Sequence, residues 1–265
     1  MKREYGMWLI IAVLVVGLLL GTQRSDIMAI DFTAVNGQKI NFGAVSAVQG
    51  LTNKSVSVWV YQDAYTTGRV INLYPTDGAA DEAFYIDLNT AGNGDVSFAA
   101  GWSTLPYVGL WRTAAAAVPT GGWYSIVITY VNSSTANDPI VYVNGAVVAN
   151  SEIITPSGTL LSGTNNIMAI GYGGASSNPI DGRIASPRVY NVILTPEEAM
   201  QIYTGRGRDN VRRGLVWCPF DKGAAGLQAF DGATLAAGNT IVDPCSGAVG
   251  VPAGNPVGVG ETYLR

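Results

Sequence analysis

Between residues 180 and 203 the chain changes its hydrophobic period, and that change limits what it can fold into. The first half, Ile180-Asp181-Gly182-Arg183-Ile184-Ala185-Ser186-Pro187-Arg188-Val189-Tyr190, alternates apolar and polar residues as a half-buried strand does, with Pro187 as an interruption. The second half predicts a helix. Thr195 stands as its N-cap, Pro196 brings a preset φ to the first helical position, and Glu197 and Glu198 favour the positive end of the helix dipole. One short helix is therefore expected from Pro196 to about Tyr203, directly after a strand.

The rest of the ordered pattern has period two. Ser55-Val56-Ser57-Val58-Trp59-Val60-Tyr61 alternates strictly, so Val56, Val58 and Val60 face one side while Ser57, Trp59 and Tyr61 face the other. Residues 69–73, 83–88, 95–99, 123–130 and 167–170 read as further strands, and Asp31-Phe32 with residues 39–43 as two short ones around an Asn36-Gly37 turn. Ile140 to Val148 reads as strand, two-residue Asn144-Gly145 hairpin turn, strand. Turn signals at Thr76-Asp77-Gly78, residues 91–94 and residues 171–174 recur at the spacing a sandwich needs. Residues 98–113 look less regular, because Gly101, Pro106 and Gly109 break them, and residues 132–139 form a polar loop.

A strand followed by a turn and a short helix opened by Leu194-Thr195-Pro196-Glu197-Glu198 resembles the closing signature of laminin-G-like domains. The tryptophan-led strand from Trp123 to Tyr130, followed by the Tyr142-x-Asn144-Gly145 hairpin, resembles a second hallmark of laminin-G-like and pentraxin-like sequences. The likeness covers about residues 30–203. It implies an all-β, concanavalin A-like antiparallel β-sandwich, or jelly roll, in which Trp59 is a core residue. Some members bind calcium near the sandwich rim, and Asp31, Asp138 and Asp181 are the ligands this would use. Ala185-Ser186 stand where acidic residues often follow the glycine-x-isoleucine step. No cofactor is therefore expected, with calcium as the one alternative.

Composition removes several functions. The chain has no histidine among its 265 residues, which excludes Ser-His-Asp and Cys-His catalysis and His-based zinc sites. A net charge of −4 argues against an electrostatic grip on nucleic acid. The one basic cluster, Arg206, Arg208, Arg212 and Arg213, reads as a solvated linker. Glucanases of this fold present alternating carboxylates that flank the scissile bond at about 5–5.5 Å. No such run occurs here, and Asp81, Glu82 and Asp87 read as solvated residues, so no enzyme is expected.

Residues 1–29 are expected as a signal peptide or an N-terminal membrane anchor: Lys2 and Arg3 precede an uncharged apolar run from Trp8 to Leu20. As a helix, about 15 residues would reach ~22 Å, short of the ~30 Å hydrocarbon core. Residues 30–205 are the sandwich and residues 206–265 a Gly/Pro-rich extension with an extra strand from Gly214 to Phe220. Cys218 and Cys245 pair if the chain is exported, which would contribute roughly 3–4 kcal/mol; otherwise they are buried thiols. The expected location is secreted or cell-surface.

Trp102, Tyr107 and Trp111 are the candidate recognition residues, because aromatics held on irregular loops are exposed more often than those in strands and can stack on a sugar face. The alternative is that they cap the core. Asn132, Asn137 and Asn178 supply amides in neighbouring loops, and Asn53 and Asn132 head sequons that matter only in a glycosylating host. The expected partner is a glycan or a surface protein, with contact to a membrane only through an uncleaved N-terminal segment. The other reading is a self-associating subunit of a surface layer, filament or virion.

Overall fold

The computed structural model describes residues 27–34, 38–75, 83–161, 166–171, 178–205, 211–217, 219, 241–242, 245, 249–253 and 257–261. The N-terminal apolar run, the Asn36-Gly37 turn, the Thr76-Asp77-Gly78 turn, Asp81, Glu82, Arg206, Arg208 and Cys218 lie outside the described residues, so the expected Cys218–Cys245 pairing does too. Among the described residues, no helix is long and apolar enough to cross a membrane.

Two antiparallel sheets face each other. In chain order the strands are β1 (Ile27–Phe32), β2 (Lys39–Ala44), β3 (Asn53–Gln62), β4 (Gly68–Tyr74), β5 (Phe84–Leu88), β6 (Val96–Gly101), β7 (Val108–Thr113), β8 (Trp123–Val131) and β9 (Ile140–Val143). They continue with β10 (Ala146–Val148), β11 (Asn150–Ile154), β12 (Ile167–Ile170), β13 (Gly182–Tyr190), β14 (Leu215–Trp217), β15 (Ile241–Val242), β16 (Val249–Ala253) and β17 (Val257–Glu261). The helix α1 is Pro196–Thr204. The first sheet runs β10-β9-β8-β3-β13-β1-β17, with β14 also paired to β13. The second runs β11-β7-β6-β5-β4-β12-β2-β16-β15.

Alternation decides which residues fill the space between the sheets. Val56, Val58 and Val60 from β3 and Ile126 and Ile128 from β8 are buried in one core with Ile71, Leu73, Ile86 and Phe98 from the second sheet. Trp59 is buried as well, but on the opposite face of β3. There it stacks on Tyr203 of α1, ring centroids 6.0 Å apart, in a separate small cluster with Ala29 and Ala185. The tryptophan thus seats the helix and not the inter-sheet core.

The local signals in the closing segment act as their chemistry requires. Thr195 Oγ1 accepts from the Glu198 amide at 3.2 Å and Glu198 Oε2 accepts from the Thr195 amide at 2.8 Å, a reciprocal capping box, with Pro196 at the first helical position. Ala199 and Ile202 bury the helix against Val127, Tyr142 and Tyr190. Arg213, read from sequence as part of a solvated linker, donates to both Glu198 oxygens at 2.6 and 2.8 Å and to the Ile193 carbonyl at 2.8 Å. The Asn144-Gly145 turn closes β9 onto β10 with φ of 51° and 77°, the positive values a two-residue hairpin needs.

Residues 98–113 are more regular than their glycines and proline suggest. β6 runs to Gly101 and β7 restarts at Val108, with Gly109, Trp111 and Thr113 inward and alternating with Val108, Leu110 and Arg112. Residues after 205 join both sheets: β17 pairs with β1, β16 with β2, and Trp217 of β14 is buried against Phe42 at a ring distance of 5.3 Å.

Candidate functional site

At one end of the sandwich three segments meet. β6 leaves the sheet at Gly101, and Trp102 forms a single bridge with Leu160. Residues 102–107 fold back on themselves: the Trp102 amide donates to the Tyr107 carbonyl at 2.9 Å, and the Tyr107 amide to the Thr104 carbonyl at 2.8 Å. Residues 157–160 lie against that loop. The Ser103 amide donates to the Thr159 carbonyl at 2.8 Å, the Thr104 amide to the Ser157 carbonyl at 3.2 Å, and the Thr159 amide to Ser103 Oγ at 2.9 Å. Gly158, at φ +91°, permits this approach, since a Cβ there would stand 2.3 Å from Thr104 Oγ1.

The third segment is the polar loop after β8. Its start is fixed by the Asn132 amide donating to the Thr52 carbonyl at 2.7 Å. Asn137 Nδ2 donates to the Val131 carbonyl at 2.9 Å and to Ser133 Oγ at 3.3 Å, folding the loop on itself. Trp111 Nε1 donates to Asp138 Oδ1 at 2.7 Å and Asn150 Nδ2 to the Pro139 carbonyl at 3.1 Å, tying its far end to the second sheet. The loop is thereby held in one shape before any ligand arrives.

Between these segments lies a cleft of about 470 Å³, lined by Thr52, Trp102, Asn132 and residues 133–135 and 158–160. Its volume falls within the roughly 300–1,000 Å³ of small-molecule sites. Two of its lining residues carry buried polar groups. Asn132 is 2% exposed with neither side-chain oxygen nor nitrogen hydrogen-bonded, and Trp102 is 2% exposed with its buried indole N–H facing the Tyr130 hydroxyl. One step deeper, the Tyr130 hydroxyl is buried beside that N–H; burial is the main cause that holds its phenol above the usual tyrosine pKa, opposed by Trp102 and reinforced by Asp138 and Glu152. Buried polar groups left unpaired by protein are normally matched by water or by a ligand.

The sequence-predicted residues divide among three places. Trp102, Tyr107, Asn132 and Asn137 converge on this cleft or the loops that frame it. Tyr107 is 38% exposed at the rim, at a positive φ of 66°. Trp111 follows the core-capping alternative and is no recognition residue: it is 1% exposed, packed on Tyr130 with ring centroids 4.9 Å apart, because it lies in the middle of a regular strand. Trp102 is also inside, so its ring caps the core while lining the cleft; Tyr107 is the exposed aromatic of the three and lies outside the cleft lining. Asn178 sits at the opposite rim, where its carbonyl accepts from the Arg69 amide at 2.9 Å. The buried Asn132 amide gives a glycan-transferring enzyme no access, whereas Asn53 is exposed at the start of β3.

The three aspartates considered for calcium are not brought together. Asp138 lies at the far end of the loop after β8, outside the cleft lining, with Oδ1 engaged by Trp111. Asp31 and Asp181 lie at the opposite rim near Asp63, which stands 3.9 Å from Arg183. Burial raises the Asp31 pKa, opposed by Arg183 and reinforced by Asp63 and Asp181. Among the described residues no group of three His, Cys, Asp or Glu side chains is placed to hold a metal ion. Asp87, expected as a solvated residue, is buried instead in an ion pair with Arg69 at 2.7 and 3.1 Å. Its inaccessible carboxylate is raised by burial and lowered by that arginine.

Thr52, residues 133–135 and residues 158–160 were not singled out from sequence. Ser133-Ser134-Thr135 carried a signal, being a hydroxyl run in an already predicted loop, but Thr52 and residues 158–160 reach the cleft only through the pairing of distant strands.

No curated protein sequence matches the chain. Among solved structures it is similar to a candidate carbohydrate-binding protein from Bacteroides ovatus, with 18% identity and a TM-score of 0.59. That match covers 90% of this chain and 61% of the other, so this chain spans about three-fifths of that protein's length. It is also similar to the native heptameric SAP-like pentraxin of Limulus polyphemus, with 13% identity, 87% of this chain and 97% of the other covered, and a TM-score of 0.54. At such identities these likenesses speak for the fold. A family model of laminin-G type matches residues 35–200, more than half of the sequence. With two facing antiparallel sheets and, among the described residues, the one capped helix in place, the chain belongs to the concanavalin A-like lectin/glucanases superfamily.

Proposed function

We propose that this protein is an exported, non-catalytic recognition module that binds carbohydrate in the rim cleft bounded by Trp102, Asn132 and residues 157–160. The observation that carries the reading is the buried Asn132 side chain, whose oxygen and nitrogen both lack partners at the wall of a preformed polar cleft. An amide can accept from one sugar hydroxyl and donate to another. Around it, Ser133, Ser134, Thr135 and Thr159 add hydroxyls, and Tyr107 offers a half-exposed ring beside the mouth. Membership of a superfamily named for lectins and the likeness to a candidate carbohydrate-binding protein support the same ligand class.

The non-catalytic part rests on the absence of histidine and on Asp87, which Arg69 engages in a buried pair. Export rests on the basic residues and apolar run within residues 1–29.

The test is binding of the full chain to a glycan panel, read beside its sedimentation profile. Saturable binding that Asn132→Ala weakens at least about tenfold is expected, since a pair of buried hydrogen bonds is removed. No binding to any panel member, or binding indifferent to Asn132→Ala, refutes the site. Self-association without glycan binding would move the protein to the surface-assembly reading.

A further inference from the structure

The cleft has a polar wall and an apolar corner. Asn132 brings to the wall an amide whose donor and acceptor both lack partners, and Ser133, Ser134 and Thr159 add hydroxyls. The corner is Trp102 with Leu160. These two are antiparallel bridge partners, and such partners carry their side chains on one face about 5 Å apart. The one polar atom of the Trp102 ring system is turned to the Tyr130 hydroxyl, so what the side chain offers the cleft is carbon.

Among the described residues, none that lines the cleft carries a charge. Charged groups of the surrounding segments are turned elsewhere. Asp138 Oδ1 accepts from Trp111 at 2.7 Å, and Glu152 Oε1 accepts from the Thr155 hydroxyl at 2.5 Å. Lys54 is 3% exposed between the sheets and outside the lining, with Nζ 5.7 Å from the centroid of the Phe84 ring. An ionised ligand group would lose its hydration here and find no counter-charge in the wall, so the group that enters is neutral.

Two neutral groups of a sugar meet an asparagine amide: a pair of hydroxyls, or an acetamido group with the hydroxyl on the next ring carbon. Both satisfy Asn132. They differ at the Trp102–Leu160 corner, where a hydroxyl is stripped of water without a partner and a methyl is buried at a gain. We infer that the cleft selects N-acetylated sugars, with Asn132 bonding the acetamido group and its neighbouring hydroxyl while the acetyl methyl packs on Trp102 and Leu160. The N–H and C=O of a trans amide point to opposite sides, so one of them meets Asn132 and the ring hydroxyl meets its other atom. The inference rests on the carbohydrate reading above and narrows it from sugars in general to N-acetylhexosamines.

The experiment uses pairs that differ only in a C2 acetamido group against a C2 hydroxyl: triacetylchitotriose against cellotriose, and the methyl glycosides of N-acetylgalactosamine and N-acetylmannosamine against those of galactose and mannose. A fourth pair, methyl fucoside against methyl galactoside, presents a methyl without an amide. Each is titrated calorimetrically into the full chain and into Leu160→Ser. At least one acetamido sugar is expected to bind about tenfold tighter than its hydroxyl partner, from one buried methyl and one hydrogen bond. In Leu160→Ser that ratio should fall below about threefold. Equal affinity within all three acetamido pairs, a preference confined to the fucoside, or a ratio that Leu160→Ser leaves at its full size overturns the acetamido assignment and leaves carbohydrate binding standing. Failure to bind any member of any pair removes the carbohydrate reading itself.

Discussion

Replacing Lys54 with methionine should stabilise the protein, by an amount that depends on pH in a defined way. An ordinary lysine titrates at 10.5, and burial brings Lys54 down to about 7. Between those two values the unfolded chain holds a proton that the folded chain has released, so wild-type stability rises with pH across that window. Below about pH 6 both states are protonated, and the folded state carries the whole cost of the buried charge. At about 1.4 kcal/mol per pH unit that cost is ~5 kcal/mol, falling to ~4 kcal/mol at pH 7 and towards zero near pH 10.5. Methionine has a similar unbranched length and no charge, and it fits irregular apolar space beside Phe84. The assay is urea unfolding of both proteins at pH 6, 7, 8, 9 and 10. Every other titrating group is common to the pair, so the difference between the two curves isolates Lys54. A gap of up to ~4 kcal/mol at pH 7 that closes as pH rises is expected. Parallel curves, or a variant less stable than wild type at pH 7, would refute the placement of an uncompensated ammonium between the sheets.

Three other perturbations test the frame. Gly158→Ala drives a Cβ into Thr104 Oγ1 at a positive φ, so a loss of ~1–3 kcal/mol in thermal unfolding should come with weakened glycan binding; an unchanged melting curve would contradict the contact between residues 157–160 and the 102–107 loop. Trp217→Ala empties the space against Phe42 and should cost ~3–5 kcal/mol in denaturant titration, whereas a cost below ~1 kcal/mol would show that β14 is not part of the core. Thr195→Ala opens the capping box and should cost ~1 kcal/mol, seen as faster amide exchange confined to α1.

Features encoded within a few residues were legible in the sequence. The Asn144-Gly145 hairpin and the Thr195–Glu198 cap depend on neighbours in the chain, and each took the form its residues require. Trp111 took the core-capping reading of its two: Gly109 and Pro106 make its segment look like a loop, yet Gly109, Trp111 and Thr113 alternate inward once β7 pairs with β6. The cleft was half legible. Trp102, Asn132 and Asn137 lie in segments that look like loops, but Thr52 and residues 158–160 come to them by strand pairing across the sandwich. Lys54 shows a signal that was available and unused: a charged residue in phase with Val56, Val58 and Val60 is a charge addressed to the interior.

The pairing of β16 with β2 and of β17 with β1 also bears on how the protein is made. Val251 meets Asn41 and Val259 meets Ala29, contacts between residues separated by nearly the whole described chain. During synthesis, β1 and β2 leave the ribosome long before the strands that pair with their outer sides exist. Each therefore waits with a free row of backbone donors and acceptors, the template on which strands of other nascent chains add. Such distant partners also make folding slow, which lengthens the wait. A cell producing this protein quickly has reason to keep those two nascent edges occupied, and a translocation channel or a holding chaperone would do so.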